Sequence, residues 1–115
     1  MREESKDIWR VNHIIEAIER IRRYIKGQDY ESFISDDMRY YAVVKNIEII
    51  GEAANMLTFK FREDKPDIPW KAICGMRNYI VHEYFAVDSN VVWEVVTSDL
   101  EMLYAKLIEI IKNEL

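Results

Sequence analysis

An all-α, up-and-down four-helix bundle is the fold this sequence predicts, and three observations predict it. Only 3 Gly and 2 Pro punctuate 115 residues, too few to supply the turns of a sheet-rich fold. The apolar residues recur at helical rather than alternating spacing. The chain is 50% hydrophobic, and at this length that closes one core and not two, so one domain over residues 1–115 is expected.

The first helix is read from Ile8, Val11, Ile14, Ile15, Ile18, Ile21 and Ile25, which keep one face apolar. Gly27 is expected to end it. After a link through Tyr30, Phe33 and Ile34, Ser35 is the expected cap of a long second helix, with Asp36 and Asp37 suited to its positive end. This helix should turn Met38, Tyr41, Val44, Ile47, Ile50, Ala54 and Leu57 to the core, while Gly51 and Ala53 leave room for another backbone. Two prolines between Arg62 and Trp70 stop it before Pro66. Asp67 is the expected cap of a third helix, from about Pro69 to about His82. Asp88, Ser89 and Asn90 offer caps for a fourth, whose apolar face runs through Val92, Val95, Val96, Leu100, Leu103, Leu107 and Ile110.

Composition narrows the function classes. No apolar stretch approaches the roughly 20 residues of a membrane span, and Met1 to Asp7 lack the apolar centre of a signal peptide, so a cytoplasmic location is expected. Cys74 has no second cysteine to pair with and is read as a buried, inert residue. With His13 and His82 as the only histidines and no glycine-rich phosphate loop, neither a metal nor a cofactor is expected. A net charge of −5 disfavours non-specific nucleic-acid binding, so any RNA site must be locally basic. Arg20, Arg22, Arg23 and Lys26 are candidates for that local charge, or simply a solvated helix face.

Chemistry concentrates in one segment, Cys74-Gly75-Met76-Arg77-Asn78-Tyr79-Ile80-Val81-His82-Glu83-Tyr84. On an ideal helix Asn78 and His82 share a face, whereas Arg77 and His82 stand about 140° apart. The latter two converge only at a closing turn, or if a second protomer contributes. RNA is cleaved without metal when its own 2′-hydroxyl attacks the adjacent phosphate, given a proton carrier and a cation to steady the phosphorane. His82 and Arg77 suit those roles, with Asn78 orienting His82 or a phosphate. The plainer reading has Arg77 and His82 serving the helix C-terminus, Tyr79 and Tyr84 packing, and His13 acting structurally.

At these residues the sequence resembles the HepT-like family of HEPN domains, whose mark is Arg, four residues, His, any residue, Tyr: here Arg77 through His82 to Tyr84. The resemblance extends to Ile50-Gly51-Glu52-Ala53-Ala54, Ile68-Pro69-Trp70, Tyr84-Phe85, Val92-Trp93 and Asp99-Leu100. It implies a four-helix, usually dimeric toxin that cleaves RNA without metal through Arg77 and His82, with Asn78 in support. It also implies a partner nucleotidyltransferase of the MntA type that neutralises the toxin by transferring AMP to Tyr84. Where the family commonly carries Gly between His and Tyr, this chain has Glu83, whose charge would hinder RNA or pair with Arg77. The alternative from another class is a non-catalytic helical module that binds a nucleotide or a nucleotide-handling partner.

Overall fold

The computed structural model describes residues 2–83 and 86–114. Helix α1 (Arg2–Ile25) buries Val11, Ile14, Ile15, Ala17, Ile18 and Ile21. It ends where Gly27 takes a φ of 76°, a conformation that costs glycine nothing. The link that follows contains a short helix, α2 (Tyr30–Ser35). Its capping box is reciprocal: the Ser32 N–H donates to the Asp29 carboxylate, and the Asp29 N–H donates to Ser32 Oγ. The bonds from Ser32, backbone first, hold the Asp29 carboxyl below its ordinary value.

Helix α3 (Asp37–Asn55) is capped by Asp36, which accepts from the Arg39 N–H at 3.1 Å, and not by Ser35, the last residue of α2. Val44, Ile47, Ile50, Ala54 and Leu57 are buried as expected, but Met38 and Tyr41 are exposed. Steps of three and four residues carry Tyr41 into the outer row with Lys45, Glu48 and Glu52, while the inner row begins at Val43 and Val44. A second short helix, α4 (Phe59–Asp64), capped by Thr58, occupies part of the expected linker. Helix α5 (Trp70–His82) starts after Pro69 without a side-chain cap. Asp67 does not cap it; its carboxylate lies 3.7 Å from Lys106 instead. The last rod is capped by Asp88 and reads α6 (Ser89–Glu94), a π-helical turn over Val95–Asp99, and α7 (Leu100–Glu114). All seven apolar residues assigned to its inner face are buried.

Polar contacts give the directions. Arg10 donates to the Met56 carbonyl and Arg20 to Asn46 Oδ1, so α1 and α3 run antiparallel. Tyr104 donates to Glu19 and Arg22 to Glu101, which makes α7 antiparallel to α1 as well. At the corner between α3 and α4, buried Asp7 accepts from the Thr58 N–H at 2.8 Å and from its hydroxyl at 2.6 Å. Helix α3 packs on α1 and α5, so the four long rods share one core. Among the described residues, no helix is long and apolar enough to cross a membrane.

Candidate active site

The site is built where α5 crosses α3 at Gly51, which puts no side chain of its own between the helices. A Cβ on Gly51 would stand 2.2 Å from Arg77 Cβ and 3.2 Å from the Ile73 carbonyl oxygen. The space that residue 51 gives up is occupied by the stem of Arg77. From that seat the guanidinium reaches Glu52 Oε1 through Nη2 at 3.3 Å and Asn78 Oδ1 through Nη1 at 3.2 Å. Its Nε is buried and has no hydrogen-bond partner among the described residues. Gly51, Glu52, Asn55, Cys74, Arg77 and Asn78 line a cleft of about 220 Å³ between the two helices.

The expected site residues divide. Arg77 and Asn78 come together, and Asn78 serves Arg77, with no bond to His82 among the described residues. His82 is the last residue of α5, exposed, and absent from the walls of the Arg77 cleft. Helix geometry puts it about 7.5 Å further along the axis and about 140° round from Arg77. Tyr84 lies outside the described residues, as does Phe85. Glu83 caps α5 through its backbone and is exposed; the carboxylate that pairs with Arg77 is that of Glu52. Glu52 lies in the Ile50 to Ala54 block, and nothing in its spacing along the chain marks it as a site residue.

Other expectations change in detail. Cys74 is half-buried in the cleft wall and not sealed in the core. His13 is exposed on α1 with its ring 4.1 Å from that of Trp9. Arg20 and Arg22 are committed to Asn46 and Glu101 across helix interfaces, so they do not form a basic patch with Arg23 and Lys26. Tyr79 is half-buried, and its hydroxyl accepts the Asp88 N–H at 2.9 Å, tying the end of α5 to the start of α6. Burial foremost, then neighbouring Tyr41 and Tyr79, raises the Tyr40 hydroxyl above its ordinary value. Among the described residues no three His, Cys, Asp or Glu side chains cluster as metal ligands would.

An antiparallel helical protein with an arginine-centred polar cleft between two core helices is the class that fold and site define. Within that class, the chain belongs to the ribonuclease HepT-like family, whose model matches residues 14–110. It is 36% identical, over 90% of its length and 93% of the relative's, to a Caldanaerobacter subterraneus subsp. tengcongensis protein named as a putative RNase. It is 36% identical to a Thermococcus cleftensis protein named as a probable ribonuclease HepT, over 92% of this chain and 94% of that one. A longer Methanocaldococcus jannaschii protein, named as a gamma-glutamylcyclotransferase and putative RNase, is 39% identical over 90% of this chain and 46% of its own. No solved structure matches.

Proposed function

We propose that this chain is the toxin of a toxin–antitoxin pair, a metal-independent endoribonuclease acting through Arg77 and His82. The observation that carries the reading is the guanidinium of Arg77, seated by Gly51 and turned into a polar cleft on the helix that ends in exposed His82. A guanidinium has five N–H donors. Here two are engaged by Glu52 and Asn78 and Nε is buried, which leaves one hydrogen on each terminal nitrogen for phosphate oxygens. Arg77 stabilises the phosphorane, Asn78 holds its fork, and His82 moves a proton; the products are a 2′,3′-cyclic phosphate and a 5′-hydroxyl.

Residues 1–115 act as one domain in this reading, and the functional form is a homodimer joined through the motif faces. His82 lies beyond the walls of its own protomer's cleft, and two-fold pairing of the faces would bring two Arg77–His82 sets into one groove. An MntA-type nucleotidyltransferase is the antitoxin, and Tyr84 is its AMP acceptor.

Cleavage of single-stranded RNA should therefore resist chelators. Arg77→Ala and His82→Ala should each lower its rate by on the order of 10²–10⁴-fold in a gel assay with mapped product ends. Near-normal cleavage by the His82 variant would remove the assignment. The reading as a non-catalytic module draws on the net charge of −5 and on Glu52 holding Arg77; it requires that wild-type protein cleave no RNA.

A further inference from the structure

We propose that Glu52 is a catalytic residue: the general base that takes the proton from the attacking 2′-hydroxyl. The inference rests on the nuclease reading and deepens it. Cleavage by the 2′-hydroxyl needs a base for that oxygen and an acid for the leaving one, and His82 is absent from the walls of the cleft in which Arg77 would hold the phosphate. The cleft contains one carboxylate, Glu52, and it stands against the cation that would hold the phosphate.

Three features fit the carboxylate to the task. Oε1 accepts from Arg77 Nη2 at a loose 3.3 Å, which places the carboxylate beside a phosphate held by the same guanidinium. Oε2 makes no hydrogen bond among the described residues, so a basic oxygen is left for substrate. The side chain is about half exposed, at 48%, and open to a strand entering from solvent.

The placement of His82 completes the geometry. Glu52 follows Gly51, which touches Arg77, whereas His82 is displaced about 7.5 Å along α5. A base and an acid straddling one phosphorus must stand further apart than the two hydrogen bonds they make, each about 2.7 Å. The axial offset leaves that room, and because His82 stands about 140° round α5 from Arg77, the histidine that faces this cleft is that of the second protomer in the proposed two-fold groove.

In the step itself, the 2′-hydroxyl proton passes to Glu52 as the O2′–P bond forms. The P–O5′ bond then breaks, and protonated His82 gives its proton to O5′. Glu52 releases its proton to solvent and His82 regains one, so no other reactant is consumed. Arg77 carries the added phosphorane charge throughout. The remaining titratable groups of the cleft, Cys74 and Arg77 of α5, are not carboxylates.

The test compares wild type, Glu52→Gln, Glu52→Asp and His82→Ala on a single-stranded RNA, with binding of its 2′-deoxy analogue measured in parallel. Glutamine still accepts a hydrogen bond from Arg77 but cannot take the proton. Glu52→Gln is expected to lower kcat by on the order of 10²–10⁴-fold, to bind the 2′-deoxy analogue at least as tightly as wild type does, and to lose the acid limb of its pH–kcat profile. Glu52→Asp should recover part of the rate, and thermal melts should show all variants folded. If Glu52→Gln cleaves normally while His82→Ala is inactive, the base assignment is overturned and the nuclease reading stands. A Glu52→Gln variant that keeps the acid limb and loses analogue binding in proportion to rate makes Glu52 a positioning residue, which also overturns the proposal. Wild-type protein that cleaves no RNA overturns both.

Discussion

At the scale of single residues, the cleft depends on an atom that is missing. Helix propensity favours Ala over Gly in a helix interior by about 1 kcal/mol. At residue 51, however, an added methyl would collide with the stem of Arg77 at 2.2 Å. The collision involves packed core helices, and overpacking of this kind costs about 1–3 kcal/mol. Gly51→Ala should thus destabilise in urea melts and lower cleavage. Gly75→Ala, with nothing within 4 Å of the new Cβ, should be neutral or stabilising by up to about 1 kcal/mol. A second residue-scale outcome concerns Tyr84. Co-expression with the proposed MntA-type antitoxin should add one or more AMP masses to wild type, whereas Tyr84→Phe should stay unmodified and still cleave RNA. AMP would bring a negative phosphodiester and bulk to a site that needs its cation free. Added mass on Tyr79 would move the assignment. The Tyr79 hydroxyl already receives the Asp88 N–H.

At the scale of elements, long stripes were legible in the sequence and short pieces were not. The inner faces of α1 and of the last rod were readable because each repeats over many turns, and a 3.6-residue period is strongest where it is sampled most. Helices α2 and α4 have six residues each, too short to display a period; the first falls in the expected link and the second across the expected end of the long second helix. The π turn at Val95–Asp99 was equally hidden, because the apolar spacing across it is the ordinary three and four. Three polar residues in a row, Ser35-Asp36-Asp37, could each have capped α3, and only the fold selects Asp36. Asp36→Ala should accordingly cost about 1 kcal/mol by urea denaturation, with an unchanged m-value, since both the cap and the contact with Arg39 are lost. Ser35→Ala should cost far less, and equal losses for the two would argue against the Asp36 cap.

At the scale of the whole molecule, Arg77 and Asn78 were legible as neighbours on one helix, while Glu52 was not, because its meaning depends on which two helices cross and at what height. Spacing along a chain does not contain that information; the pairs Arg10–Met56 and Arg20–Asn46 supply it by fixing how far α1 and α3 overlap. The proposed two-fold groove rests on His82 lying outside the walls of its own protomer's cleft. Light scattering at micromolar concentration should give a dimer, and a fully active monomer would remove the proposed two-fold groove. The same polar pairs also carry a sense of time. Those between α1 and α3 join residues 46 and 26 apart, while those between α1 and α7 join residues 79 and 85 apart. Longer loops cost more entropy to close, and α7 leaves the ribosome after every other helix described. Both walls of the Arg77 cleft therefore exist in the growing chain before the helix that shuts the core, and α7 steadies a site whose parts are already present.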